Sequence, residues 1–431
     1  MTIAVVGGGI TGLSLAYDLC MKGQTVHLYE QEEFLGGLAG CFPAGDTWLE
    51  KYYHHLFTSD THIVKLIEEL GLMEKLEWSP SSVGFYYLNK SYRFTTPLDL
   101  LRFKPLSLAD RIKLGLAIFR LRKIEDWKPL EKISAVEFIK KEMGENVYKV
   151  VWEPLLRSKF GNRFEDVAAV WFWGKIKLRG STRKRGKEQL GYIKGGFQTF
   201  IDEIAGKIKQ NGGQILPATP VSRIKRTEDG NWIVNSRQGA NNYKQVAVTT
   251  ALPIFLEIVS DLPDDYRKKI ADIPYQGSVC LVLKLDRSLS SVYWLNVTDL
   301  SVPFVAVIEH TNFKAPTIYG GHYIYLSRYL DRENELFKMD ATQLKDAFVP
   351  HLKKVFPEFD PNWIQDYHLW KDSYTQPVIG LNFSELIPDY KTPLPRLYLT
   401  TMAQIYPEDR GTNYAVKEGR KAAGIILEDI K

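Results

Sequence analysis

Three stretches of the 431-residue sequence predict an α/β protein in which a parallel-sheet domain is interrupted by inserted α+β segments. The chain opens on an apolar strand, a glycine cluster and a helical pattern, followed at once by a second strand, which is the start of a βαβ unit. The same texture returns at Gly195-Gly196 and again near the C-terminus. The stretches between read as hairpins and helices of another character. The predicted division is residues 1–84, 193–265 and 385–431 for the sheet domain, with residues 85–192 and 266–384 forming a substrate or cap domain.

Taken in order, residues 3–6 form a buried strand, residues 13–22 a helix that Gly23 stops, and residues 25–30 the next strand. Residues 85–88 and 91–94, joined by Asn89-Lys90, read as a hairpin. Residues 107–123 read as a helix with Ser107 as N-cap and Asp110 in its first turn, and residues 134–143 as another. After Gly195-Gly196 a helix is expected to about residue 210, then strands at 214–216, 221–225 and 245–250. A strand-rich block spans about 279–326, and the chain closes with a strand at 397–400 and a helix from about Tyr414.

Composition excludes several classes. Apolar residues at 45% and charged residues at 25% are ordinary for a globular chain and rule out a disordered or collagen-like one. Cys20, Cys41 and Cys280 form no CxxC pair, which excludes a disulfide scaffold or cysteine zinc site and favours a reducing compartment. The balance of 56 basic and 51 acidic residues, net +5, does not imply nucleic acid. Residues 1–6 lack the basic region of a leader, and no apolar run reaches the roughly 18 residues of a membrane span. A cytoplasmic protein is expected. Aromatic residues at 13% suit either a pocket for a flat or apolar ligand or aromatic core packing.

Gly7-Gly8-Gly9-Ile10-Thr11-Gly12 matches GxGxxG between a strand and a helix. Gly7 permits the tight turn, Gly9 the close approach of backbone to a pyrophosphate, and Gly12 the packing of helix on strand. The amides of Ile10 and Thr11 open the helix, where free N–H groups and the dipole favour an anion. Glu30, 18 residues after Gly12, ends the second strand, where a carboxylate accepts hydrogen bonds from a ribose and repels a 2′-phosphate. The domain is therefore expected to be Rossmann-like and to hold FAD or NAD.

Gly36-Gly37-Leu38 places a second glycine pair just beyond the second strand. It resembles the motif of the flavin amine oxidase superfamily, which includes protoporphyrinogen oxidases and carotenoid desaturases and has UDP-galactopyranose mutases as relatives. Leu38 stands where that family often has Arg. Pro220 to Ile224, with Val221 at the family's adenine-contacting position, and the segment Asp409 to Tyr414 before the last helix extend the resemblance over nearly the whole chain. The resemblance implies FAD as cofactor. It implies flavin contacts from Gly411, Thr412, Asn413 and Tyr414, although Thr401-Met402 replaces the usual Gly-Asp.

Lys51-Tyr52-Tyr53-His54-His55-Leu56-Phe57 resembles the mutase segment in which a histidine lies beside the flavin. The resemblance makes His55 the candidate catalytic residue, for hydrogen bonding or proton transfer, with a histidine satisfied inside the fold as the alternative. No metal site is expected from His54, His55 and His62, whose spacing fits no zinc pattern. Seven cations fall in the thirteen residues from Lys175 to Lys187. Arg179, Arg183 and Arg185, with Tyr192 beyond them, suit a phosphorylated small-molecule substrate such as a nucleotide sugar or an isoprenoid phosphate, or else form a solvated loop. Residues 98–123 mix apolar side chains with cations and are expected to wall the substrate cavity, with peripheral contact to an anionic bilayer as the other reading. The functional expectation is an FAD-dependent oxidoreductase of oxidase or desaturase type, transferring hydride from substrate to the flavin. The alternatives are a redox-neutral mutase acting on a UDP-sugar and a catalytically silent flavoprotein at a membrane.

Overall fold

The computed structural model describes residues 2–181, 183–184 and 187–431. Strand Thr2–Val6 lies at the centre of a five-stranded parallel sheet, in the order Gln214–Leu216, Thr25–Tyr29, Thr2–Val6, Gln245–Val248, Leu397–Leu399. Strands from three distant parts of the chain thus meet, as the interrupted α/β reading requires. Both faces of the sheet are covered. Ile3 and Val5 pack with helices Ile10–Met21, Phe197–Gln210 and Thr412–Ile430, while Ala4 and Val6 point into a second core. Such a strand reads as an unbroken apolar run, which is why it was legible.

The second large sheet has seven strands in the order Ile364–Pro377, Tyr275–Leu285, His322–Leu330, Ala306–Glu309, Trp294–Val297, Val83–Tyr87, Lys90–Arg93. Its pairings are antiparallel except that between Trp294–Val297 and Val83–Tyr87. The expected hairpin is therefore an edge of the same sheet as the expected strand-rich block. The 14-residue strand Ile364–Pro377 and the helix Ala341–Val355 have no counterpart in the sequence reading. The strand carries Asp366, His368, Lys371 and Asp372 and is only partly buried, so its apolar alternation is faint.

Two smaller sheets complete the fold. Val221–Arg226 leaves the parallel sheet and joins Trp232–Ser236 and Gly239–Tyr243 in an antiparallel one. Lys187–Ile193 pairs with Leu56–Phe57 and Leu76–Pro80, so the end of the basic run is a strand. The expected helices at 107–123 and 134–143 are Leu108–Arg122 and Ala135–Met143. Ser107 and Ser134 cap them by accepting from the amides of Asp110 and Glu137.

Candidate active site

The glycine loop is built as its spacing demands. Gly7 has φ +110°, and a Cβ there would sit 2.6 Å from Thr249 Oγ1. A Cβ on Gly12 would come within 1.9 Å of the Gly7 carbonyl oxygen, so helix Ile10–Met21 can press on the strand only with glycine there. The loop locks to the second glycine pair: Gly36 N donates to Gly8 O at 2.9 Å, and Gly9 bridges Gly36. A Cβ on Gly9 would meet only Gly37 Cα, at 3.9 Å, so this backbone faces open space. No side chain caps the helix at Gly9, which leaves the amides of its first turn, at Ile10 and Thr11, for a ligand anion. Glu30 Oε2 accepts from Gly8 N at 2.7 Å and Oε1 from Glu32 N at 2.9 Å. Burial raises this carboxyl, and those two amides oppose the rise. Thr219 N donates to the Glu30 carbonyl at 2.8 Å, which brings the segment leading to Val221 alongside Glu30.

The last helix, Thr412–Ile430, begins at Gly411, again without a side-chain cap. It crosses helix Ile10–Met21 closely, for a Cβ on Gly419 would lie 2.4 Å from the Thr11 carbonyl oxygen. The Asn413 side chain serves another element: its Oδ1 accepts from the amides of His62 and Ile63 at the start of helix Thr61–Glu69. Its Nδ2 and the backbone remain as donors at this position. Just before Gly411, Asp409 is paired with Lys175 and accepts from Trp171 Nε1 at 3.0 Å. Burial alone would raise the Asp409 carboxyl, but Lys159, Lys175 and Arg410 hold it well below the usual carboxylate range.

A cavity lies where these parts converge on the seven-stranded sheet. Leu38, Tyr52, Tyr53, His54 and Arg410 line one side, and residues of the strands Tyr275–Leu285, His322–Leu330 and Ile364–Pro377 line the other. The histidine on this cavity is His54. The residue singled out by sequence, His55, faces the other way, with Nδ1 3.0 Å from Tyr293 Oη and its ring among Phe57, Tyr293 and Trp294. His54 Nδ1 lies 2.5 Å from the Tyr52 carbonyl oxygen, which can only accept, so Nδ1 carries the proton and Nε2 is an acceptor. Burial above all, with a smaller push from Arg410 and against the Tyr52 carbonyl, brings His54 down to about 4, so the ring is neutral at physiological pH.

The basic run divides. Lys175 and Lys177 lie on helix Ala169–Ser181: Lys175 turns to Asp409, while Lys177 is exposed, donating to the Ile124 carbonyl and lying over the Trp173 ring. Arg185 lies outside the described residues, as do the side chains of Arg179 and Arg183. The expectation for Tyr192 is corrected. It is 1% exposed, and its hydroxyl donates to the fully buried Glu50 carboxylate at 3.0 Å, so it holds the interior rather than a substrate. Glu50 gave no signal in the sequence, because its partners are 142 and 147 residues away. Among the described residues no cluster of three or more His, Cys, Asp or Glu is arranged to hold a metal ion.

Comparison with known proteins agrees with this architecture. The family of flavin-containing amine oxidoreductases matches residues 10–427, and the chain belongs to that family. The chain is 33% identical to the 15-cis-phytoene desaturase of Synechococcus elongatus, over 99% of its own length and 96% of that protein. Its fold superposes on a candidate protoporphyrinogen oxidase from Exiguobacterium with a TM-score of 0.78 at 17% identity, covering 99% of both chains. It superposes on a reduced UDP-galactopyranose mutase with a TM-score of 0.76 at 14% identity, covering 99% of this chain and 95% of the other. Both structural likenesses are of fold alone. The protein is an FAD-dependent oxidoreductase, and the uncapped helix start, the open backbone at Gly9 and the placement of Glu30 fit that cofactor.

Proposed function

We propose that the protein oxidises a small-molecule substrate by transfer of hydride to FAD, in the manner of an oxidase or desaturase. When bound, FAD supplies a two-electron acceptor for a hydride leaving a C–N or C–C unit. In this reading Gly7, Gly9, Gly12 and the amides of Ile10 and Thr11 hold the pyrophosphate. Glu30 takes the ribose hydroxyls, and Val221 presents backbone to the adenine. Gly36, Gly37 and Leu38 border the chain that leads to the ring. The amides of Gly411, Thr412 and Asn413 would face its pyrimidine edge, while the Tyr414 amide donates to the Gly411 carbonyl; a helix N-terminus there favours negative charge by roughly 0.3–2 kcal/mol. His54, neutral and with Nε2 free to accept, is placed to hold or move a proton at the reacting face.

The single observation that carries this reading is the cavity that joins Leu38, next to the second glycine pair, to Arg410, next to the last helix, against the seven-stranded sheet. It supports a division in which residues 1–84, 193–265 and 385–431 carry FAD and residues 85–192 and 266–384 present substrate. The test is anaerobic titration of the purified yellow protein with amines, tetrapyrroles, polyprenyl compounds and nucleotide sugars. Bleaching of flavin absorbance by one class is expected. Conversion of a UDP-sugar only after prior flavin reduction would make the enzyme a mutase instead. Gly9→Val, which fills the open backbone at the loop, is expected to give colourless protein; full flavin occupancy in that variant refutes the loop assignment.

A surface feature supports a location. Leu108, Ile112, Leu116 and Phe119 form one stripe along helix Leu108–Arg122, each at least half exposed, while Leu114, Ala117 and Leu121 face the core. Leu98 and Leu101 extend the stripe from helix Pro97–Leu101. Arg102, Lys104, Lys113, Arg120 and Lys123 lie in or beside these two helices in sequence, and Lys123 Nζ sits 4.4 Å from the centre of the Phe119 ring. Apolar residues accompanied by cations match the surface of an anionic bilayer, and we assign this face to peripheral membrane contact rather than to the cavity wall. Among the described residues no helix is long and apolar enough to cross a membrane.

A further inference from the structure

Arg410 brings a guanidinium into the cavity, and its hydrogen bonds are unusual for a charge drawn in from bulk water. Its Nε donates to Gln376 Oε1 at 3.1 Å and one Nη to Tyr329 Oη at 2.9 Å. Both partners are neutral. Asp409, its neighbour in sequence, is taken by Lys175 and Trp171. Asp372 feels the cation but accepts from Tyr374 N at 2.7 Å. Among the described residues no carboxylate forms an ion pair with Arg410. The nearby Asp409 carboxylate favours the cation, and Arg410 in turn opposes the burial that raises Asp372, but neither carboxylate accepts a hydrogen bond from it, so the guanidinium keeps donors for an anion.

Beside the apolar Leu38 and Val279, the cavity carries several hydroxyls. Ser278 and Thr375 hydroxyls lie 2.8 Å apart, and Tyr53 Oη lies 3.3 Å from Ser327 Oγ. A plain hydrocarbon seated here would offer the guanidinium no acceptor for its remaining N–H donors, which weighs against it. From this geometry we infer that the substrate carries an anionic group, a carboxylate or phosphate, which Arg410 receives in the cavity it lines together with His54. The inference rests on the proposed reaction and names its substrate class. The planar fork of arginine suits the two oxygens of such a group, and the neutral hydroxyls beside it take the remaining lone pairs. The same anion chemistry has a second source, the pyrimidine edge of reduced FAD, because Arg410 adjoins the start of the last helix.

The test uses binding, not turnover. Holo-protein is titrated with benzoate, inorganic phosphate and uncharged benzamide by calorimetry and by the visible flavin spectrum, and the midpoint potential of bound FAD is recorded for each variant. The expected result is that wild type binds benzoate or phosphate at least about tenfold more tightly than benzamide, the effect of one charge-assisted contact. Arg410→Gln should abolish the preference, and Arg410→Lys should keep part of it, with the potential little changed in both. No anion preference in wild type, or an unaltered one in Arg410→Gln, overturns the inference. So does a shifted potential with anion binding intact, which assigns the guanidinium to the cofactor. If Arg410→Gln does not fold, Arg410→Lys and the benzoate-to-benzamide ratio of wild type decide the matter. Flavin content is read separately, so a protein without FAD refutes the cofactor reading and not this one.

Discussion

At Glu50 the structure holds a carboxyl with no exposure, accepting from the Tyr192 hydroxyl and, at 2.8 Å, from the amide of Phe197. Burial pushes it up to about 7, against the pull of those two donors. The folded state therefore binds this proton more tightly than the unfolded chain, whose carboxyl titrates near 4.5. The stability it contributes is fully present below that pH and is lost as pH rises through about 7. Glu50→Gln keeps an acceptor for Phe197 N and a donor for the Tyr192 oxygen but carries no charge. It should be nearly neutral for stability at pH 5 and stabilising by roughly 1–3 kcal/mol at pH 8. Denaturant melts at the two pH values check this; an equal effect at both would show that the buried carboxyl carries no such cost. Gly7 and Gly12 belong to the same scale and were legible, because Gly7 must adopt a positive φ and Gly12 must clear the Gly7 carbonyl five residues before it. Glu50 was not, because a single Glu says nothing until its distant partners close around it.

Helix Leu108–Arg122 shows how an element is read correctly and then faces an unexpected way. Its cap at Ser107 is local and was visible. Its apolar residues occupy two faces, and the sequence did not tell which one the core takes. The exposed stripe makes a specific prediction. The triple variant Ile112→Ser, Leu116→Lys, Phe119→Ser should melt within about 0.5 kcal/mol of wild type per site, as surface substitutions do. It should also lose sedimentation with phosphatidylglycerol vesicles. Leu114→Ala, on the buried face, should instead cost about 2–5 kcal/mol. Unchanged vesicle binding in the triple variant would refute the membrane face. The strand Ile364–Pro377 is the opposite case, since its place was decided by pairing with Tyr275–Leu285 rather than by a pattern of its own.

Across the whole molecule, the proposed cofactor contacts come from residues 7–12, 30, 36–38, 221 and 411–413, which the parallel sheet brings together. Helix Thr412–Ile430 closes that arrangement by packing Gly419 against Thr11. Ending the chain at residue 411 removes the helix and bares the buried face of helix Ile10–Met21. The truncated protein should be recovered unfolded or aggregated and without flavin; a folded, yellow product would show that the last helix is dispensable. Removing FAD from the intact protein should lower its stability by mass action, about 2.7 kcal/mol relative to a hundredfold excess over Kd, read as a fall in melting temperature that added FAD restores.

The sequence by itself determined the α/β class, the glycine loop with Glu30, the starts of helices Leu108–Arg122, Ala135–Met143 and Phe197–Gln210, and the strands of the parallel sheet. Each depends on steric demands, caps or burial patterns that operate over a few residues. Tertiary structure alone decided that His54 rather than His55 meets the cavity and that Tyr192 belongs to the interior. It also decided that Lys175 turns inward to Asp409 and that Arg410 arrives beside His54. These outcomes turn on which way a side chain points once strands and helices hundreds of residues apart have packed, and a local pattern carries no record of that packing.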